Sequence, residues 1–156
     1  TQFDALTETL VSDEVLSLLA LQRYDRLILQ VGKGAEPKVP ASAPLKVEWY
    51  RVKKSLEEDM KAAALIISHA GAGSILEGLG LGKLMIVVVN DRLMHNHQQE
   101  VANELASRQH LLSTTPSGFA AKLRSLGEAP PALEPWPAPD TTAFPRFLAT
   151  ELGLPA

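Results

Sequence analysis

The sequence predicts an α/β fold of the Rossmann type, in which a parallel sheet carries helices on both faces. Short apolar and β-branched segments alternate along the chain with segments of helical periodicity. Several apolar segments, such as LMIVVV at 84–89, contain no polar alternation, which is typical of strands buried on both faces. Strands of this kind pair in parallel through right-handed crossovers, and ligands bind at their carboxyl ends.

Composition limits the classes of protein to consider. The chain has 156 residues, enough for one domain with a hydrophobic core, and its 46% apolar and 21% charged residues are typical of a globular protein. A formal net charge of −3 argues against a nucleic-acid-binding surface. Because the sequence has no cysteine, disulfides and thiolate metal sites are excluded.

Neither a membrane span nor a signal peptide is expected. The longest apolar segments, LMIVVV and ALII, are far shorter than the roughly 20 residues that cross a bilayer. The opening stretch, TQFDALTETL, carries acidic residues where a signal peptide would carry basic ones. We therefore expect a cytoplasmic domain.

The first half of the chain is predicted to contain two helices and two strands. Apolar residues at helical spacing predict a helix over 3–20. The segments RLILQV (26–31) and LKVEWY (45–50) then predict two strands. Ser55 and Glu58 have the spacing of a capping box, which predicts a helix from Ser55 to about residue 63.

The second half continues the alternation of strand and helix. Strands are predicted at 64–68, 84–89 and 110–113, and helices at 74–81 and 97–108. A further helix of about ten residues is predicted from Thr115-Pro116, because proline is well tolerated in a first helical turn. A doubly wound sheet normally begins with a strand, whereas this sequence begins with a helix. We therefore expect the central first strand to be missing or replaced by another segment.

The C-terminal region has a different composition. Residues 129–140 contain five prolines, which excludes them from a sheet and predicts a linker. Residues 141–156 then predict a short amphipathic helix whose apolar side carries Phe144, Phe147, Leu148 and Leu152. The chain therefore divides into a Rossmann-like domain (1–128), a proline-rich linker and a helix that we expect to dock onto a partner or onto the domain.

A glycine-containing loop joins the strand at 64–68 to the next helix. His69 ends the strand, and Gly71 and Gly73 precede the predicted helix start at Ser74. The glycines either allow a tightly packed turn or let a ligand approach the backbone. An anion would fit the second interpretation, because a helix N-terminus presents free amides and a positive dipole end. His69 is either a ligand to that anion or a structural residue.

Glu77 also has two interpretations. Ser74 and Glu77 have the spacing of a capping box, in which the carboxylate only bonds back to the start of its helix. Alternatively, the carboxylate accepts hydrogen bonds from the hydroxyls of a ribose that lies over that helix terminus. The sequence alone leaves both open.

The loop after the strand at 45–50 lies at the carboxyl end of that strand. Tyr50, Arg51 and Lys53 either belong to a solvated loop or to one whose backbone binds the edge of a base. In the second case Tyr50 or Val52 would pack against the ring.

A metal site is not expected. His95, Asn96 and His97 form an HxH pattern that needs a third ligand, for which Asp91 or Glu100 is available, but the spacing matches no familiar zinc site. The chain also has no DxD pair to hold a divalent ion against a diphosphate.

The segment SHAGAGSILEGLGLGKLMIVVVNDRLMHNHQQEVANEL (68–105) resembles the donor-sugar half of GT-B glycosyltransferases. It is most similar to the family of soluble subunits of the two-part eukaryotic UDP-N-acetylglucosamine (UDP-GlcNAc) transferase. It is more distantly similar to the bacterial enzyme that adds GlcNAc to lipid I. The resemblance covers nearly the whole chain, through TQFD, LILQVGKG and YRVKKSLEED.

The resemblance implies a set of donor-binding residues. The glycine loop would hold the diphosphate, Glu77 would bind the ribose, and the loop from Tyr50 to Val52 would lie beside uracil. His97 and Gln98, with Asn96 beside them, would contact the sugar or its phosphate. The residues implied for the diphosphate are His69, Gly71, Ala72, Gly73 and Ser74.

The resemblance also implies an activity and partners. The domain would transfer GlcNAc from UDP-GlcNAc, with inversion, to dolichyl-diphosphate-GlcNAc, the second step of lipid-linked oligosaccharide assembly for N-glycosylation. The acceptor site would lie on a membrane-anchored subunit at the cytosolic face of the endoplasmic reticulum. No cofactor is implied, and no general base is assigned. Two alternatives remain: an inactive homologue that binds the partner without turnover, and an unrelated nucleotide-sugar enzyme.

Overall fold

The structure, a computed structural model, describes residues 2–90, 97–138 and 140. Helices and strands alternate along these residues as an α/β fold requires. The helices are α1 (Asp4–Leu10), α2 (Asp13–Leu21), α3 (Glu57–Ala62), α4 (Ala72–Gly80), α5 (His97–Ser107) and α6 (Phe119–Glu128). The strands are β1 (Arg26–Gln30), β2 (Lys46–Tyr50), β3 (Leu65–His69), β4 (Leu84–Val88) and β5 (Leu112–Thr114).

All strand pairs among the described residues are parallel. β1 pairs with β2, and β4 lies between β3 and β5. β4 shows that helices cover both faces of its sheet: Ile86 and Val88 pack with α1, α2 and α6, whereas Met85 and Val87 pack with α3, α4 and α5. All four side chains are fully buried. The prediction of a Rossmann-like parallel sheet flanked by helices is therefore confirmed.

The sheet is divided between β1 and β3. A cavity of about 430 Å³ lies there, lined by the full length of both strands and by α1. Within the described ranges, no strand pairs with the facing edges of β1 and β3. Leu65 and Ile67 of β3 are consequently half-buried, whereas the apolar residues of β4 are almost all buried. In the common Rossmann strand order the first strand separates the second from the fourth, so the cavity lies at the position that the first strand of that order occupies.

Two predicted helix boundaries near serines were wrong. The helix predicted over 3–20 is two helices, because Ser12 donates to the carbonyl of Thr9 (2.7 Å) and its hydroxyl caps α2 through the amide of Val15 (3.4 Å). The capping box at Ser55 does not form: α3 begins at Glu57, whose amide donates to the Ser55 hydroxyl at 3.2 Å. Local serine–backbone bonds competed with the helix in both places.

The helix predicted from Thr115-Pro116 has the expected ten residues but begins later, at Phe119. Residues 116–118 form a turn, and Phe119 is fully buried against the α2 side of the core. The strands begin and end within two residues of their predicted positions.

The proline-rich segment has no helix or strand over 129–138, and it packs against the domain. The amide of Glu134 donates to the carbonyl of Gln109 at 2.8 Å, and Trp136 packs edge-on against His110 with ring centres 5.1 Å apart. The proline-rich segment therefore lies along the surface beside the residues that join α5 to β5. The predicted helix at 141–156 lies outside the described residues. No helix within the described part of the chain is long and apolar enough to cross a membrane.

Candidate functional site

In the first turn of α4, three backbone amides have no hydrogen-bond acceptor among the described residues. Gly71 is the N-cap of α4, and its own amide donates to the carbonyl of His69 at 2.7 Å. Ile75 makes the first intrahelical bond, to the carbonyl of Gly71 at 3.1 Å. Within the described residues, the amides of the intervening residues, Ala72, Gly73 and Ser74, have no acceptor. With no acidic side chain in the first turn, this terminus favours an anion.

The two glycines of the loop have different reasons to be glycine. A Cβ on Gly71 would lie 2.8 Å from Nε2 of His69, so a side chain there would require the imidazole to move. A Cβ on Gly73 would meet no atom within 4 Å. The position of the His69 ring therefore favours glycine at 71, whereas nothing in the packing of the described residues requires a glycine at position 73.

His69 places its ring beside this loop. Partial burial lowers the pKa of His69 below its usual value, so the ring is neutral near pH 7. A bound anion would oppose that shift by favouring the protonated ring. His69 can therefore donate one hydrogen bond as a neutral group, or two once it is protonated.

The structure removes one interpretation of Glu77. Because α4 begins at Ala72, Ser74 lies inside the helix and cannot be the cap of a Ser74–Glu77 capping box. The N-cap, Gly71, has no side chain to contribute. Glu77 is exposed and makes no hydrogen bond or ion pair with any described residue. It lies four residues after Gly73, on the same face of the helix.

One end of the cavity brings together residues from three strand ends. Gly32 follows β1, Tyr50 ends β2, and His69 ends β3, and Ser74 of α4 lies beside them. Of the predicted site residues, Tyr50, His69 and Ser74 thus line the same cavity. Val52 is not part of the cavity wall, and its side chain is 71% exposed.

The loop after β2 is exposed to solvent over residues 51–55, but Tyr50 and Lys53 on either side of its first residues are bonded to α3. Lys53 contacts both carboxylate oxygens of Asp59, at 2.7 and 2.9 Å, and the Tyr50 hydroxyl donates to Asp59 at 2.6 Å. Desolvation and the Asp59 hydrogen bond raise the pKa of Tyr50, and the Lys53 hydrogen bond lowers that of Asp59. Asp59 was not among the predicted site residues, and its only signal in the sequence is its place in α3, the helix that follows β2.

The remaining predicted residues lie at or beyond the described range. Asn96 and the first histidine of the HxH pattern lie outside it. His97 begins α5, but nothing is described of the side chains of His97 and Gln98. Their contact with a sugar, and the expectation that no metal binds, stay predictions.

The family follows from comparison with known domains. The model of the family described as "Glycosyltransferase family 28 C-terminal domain" matches residues 1–145. The chain belongs to this family. The glycine loop and the strand ends described above all lie within the matched residues, so the family match covers the whole candidate site.

Curated relatives carry the name "UDP-N-acetylglucosamine transferase subunit ALG13". The chain is 45% identical to the mouse protein over 116 residues and 40% identical to the human protein over 147 residues. These alignments cover 74% and 92% of the chain but only 10% and 13% of those relatives. The Yarrowia lipolytica relative is 36% identical, over 78% of the chain and 65% of that protein. The chain thus spans only a small part of the mammalian proteins.

Solved structures agree on the fold. An NMR solution structure of ALG13 is 29% identical and superposes with a TM-score of 0.67, over 95% of the chain and 90% of that protein. The MurG crystal structure from Acinetobacter baumannii is 21% identical with a TM-score of 0.56, over 80% of the chain and 37% of MurG. At that identity MurG supports the fold alone.

Proposed function

We propose that this domain binds UDP-GlcNAc and transfers GlcNAc, with inversion, to dolichyl-diphosphate-GlcNAc. The observation that carries the proposal is the meeting of two features at one edge of the fold. The free amides at the start of α4 suit a diphosphate, and the loop after β2 suits a base. Family membership and the names of the relatives support the same donor.

In the proposed complex the amides of residues 72–74 hold the diphosphate, and His69 donates a further hydrogen bond. Glu77 binds the ribose hydroxyls, and Tyr50 to Val52 bind uracil. The oxygen of the acceptor 4-hydroxyl forms a bond to the anomeric carbon and gives up its proton to a base that is not assigned to this chain, while the bond between the anomeric carbon and the UDP oxygen breaks. Negative charge then develops on the UDP oxygen, where the helix terminus stabilises it.

Two further proposals concern the contact with the sugar and the need for a metal. We assign the GlcNAc contact to Asn96, His97 and Gln98, which precede or begin α5. We propose that no divalent metal is needed, because helix amides supply the positive potential that a metal would otherwise provide. Transfer should then survive EDTA, and loss with rescue by Mg²⁺ or Mn²⁺ would contradict this.

The domain is proposed to act with a partner. The acceptor would be bound by a membrane-anchored subunit, which would hold this chain at the cytosolic face of the endoplasmic reticulum. The segment 141–156, with Phe144, Phe147, Leu148 and Leu152, would dock onto that subunit. The word "subunit" in the names of the relatives is consistent with a complex.

Turnover with purified components tests the proposal. UDP-GlcNAc and a short-chain lipid-diphosphate-GlcNAc acceptor are incubated with the chain, with the membrane subunit, and with both. We expect transfer only with both. Donor binding without transfer would favour the alternative of an inactive homologue, and absence of UDP binding would refute the proposed donor site.

A further inference from the structure

The loop that follows β2 is anchored at two points. Arg51 donates to the carbonyls of Gly32 and Gly34, at 3.3 and 3.1 Å, and lies 3.4 Å from the carboxylate of Glu36. The amide of Gly32 donates back to the carbonyl of Arg51 at 2.9 Å. These bonds fix the first residue after β2 to the loop after β1.

The second anchor is Asp59 of α3. It accepts from the Tyr50 hydroxyl at 2.6 Å and pairs with Lys53 at 2.7 Å. The Lys53 ammonium also lies 4.3 Å from the centre of the Tyr50 ring, within the range of a cation–π interaction. One carboxylate therefore ties together the residues on either side of the exposed part of the loop.

Val52 is the residue held between the two anchors. Its side chain is 71% exposed. Its amide and carbonyl bond to nothing within the described residues. Backbone amides and carbonyls that are held in place but unpaired can hydrogen-bond to the edge of a planar ligand with little loss of conformational entropy on binding.

We infer that Asp59 is a positioning residue for the nucleobase: through Tyr50 and Lys53 it holds the peptide of Val52 where the uracil edge binds. The inference rests on the proposed function. Asp59 touches no ligand itself. A merely structural role would lower stability without changing the preference for one base over another, so nucleotide preference separates the two roles.

The test compares UDP with ADP, which has the same ribose diphosphate and a different base. If the freed loop adopts its binding conformation about a tenth of the time, the Kd for UDP rises about tenfold in Asp59→Ala. The Kd for ADP should hardly change, so the preference for UDP over ADP falls by the same factor. Glu57→Ala is the matched control, because it breaks an ion pair of the same helix with Lys61 that does not touch the loop.

A double-mutant cycle adds a second readout. If Asp59 acts through the Tyr50 hydroxyl, Tyr50→Phe should add little to the loss already caused by Asp59→Ala. Equal weakening of UDP and ADP in Asp59→Ala, or an unchanged UDP affinity, would overturn the inference while leaving the proposed donor site intact. A wild-type chain that binds neither nucleotide would overturn both.

Discussion

Replacing Gly73 by alanine separates binding from stability. The added methyl meets no atom within 4 Å, so it creates no clash in the folded domain. Alanine is favoured over glycine in a helix by up to about 1 kcal/mol, so α4 should be unchanged or slightly more stable. For a domain of this size that corresponds to a rise in Tm of roughly 2–4 °C at most.

The same methyl should weaken donor binding. If a diphosphate reaches the amides of residues 72–74 through the open space beside Gly73, the methyl occupies part of that space. A hydrogen bond to a charged group is worth about 1.5–3 kcal/mol, so losing one weakens UDP by about 10- to 150-fold. Isothermal titration calorimetry gives this change, and thermal unfolding of the same samples gives the stability.

Gly80→Ala is the matched control. Gly80 ends the same helix, and a Cβ there also meets no atom within 4 Å. It should change stability as little as Gly73→Ala does and leave UDP binding unchanged. Wild-type UDP affinity in Gly73→Ala would refute the close approach of the diphosphate, and unfolding would refute the packing described here.

Three further predictions concern the same domain. Glu77→Gln should leave Tm unchanged, because no capping box exists, and should weaken UDP but not 2′,3′-dideoxy-UDP, which has no ribose hydroxyl; equal effects on both ligands would contradict ribose binding. Burial lowers the pKa of His69 in the folded state, so the free energy of unfolding should be constant above about pH 6.5 and fall as the pH drops through the folded-state pKa. Over the same pH range the affinity for UDP-GlcNAc should rise, because a protonated His69 attracts the diphosphate. His69→Gln should flatten both profiles in unfolding and calorimetry experiments, and unchanged profiles would refute the assignment. Deleting 141–156 should leave Tm unchanged and abolish co-purification with the membrane subunit; retained association would rule out docking through this segment.

The sequence predicted strands more accurately than helix starts. The strands are short apolar runs, and burial on both faces leaves a strong signal in composition, as β4 shows. Helix starts depend on which local group satisfies the first amides. The hydroxyls of Ser12 and Ser55 each accept a hydrogen bond from a backbone amide two or three residues later. A serine can make such a bond at several positions relative to a helix, so the sequence pattern alone could not show at which residue the helix begins.

In the candidate site, too, some features could be predicted from the sequence and others could not. The glycine loop was predictable, because its position after a buried strand follows from the fold class. The reason for Gly71 was not predictable, since it depends on how the His69 ring folds over the loop. Asp59 was missed because its contacts join the end of β2 to α3, and no periodic pattern encodes a contact between side chains on two elements.

Gly78 connects the core of the domain to the proposed anion site. A Cβ there would lie 2.6 Å from Sδ of Met85 and 3.3 Å from Cδ1 of Ile66, so this glycine sets how closely α4 packs on the sheet. Met85 is fully buried and cannot move into solvent. Gly78→Ala should therefore cost about 1–3 kcal/mol through overpacking and also shift the start of α4, weakening UDP. Gly73→Ala, by contrast, should weaken UDP binding without lowering stability. If Gly78→Ala lowers stability but keeps the wild-type affinity for UDP, the anion site does not depend on how closely α4 packs against the sheet.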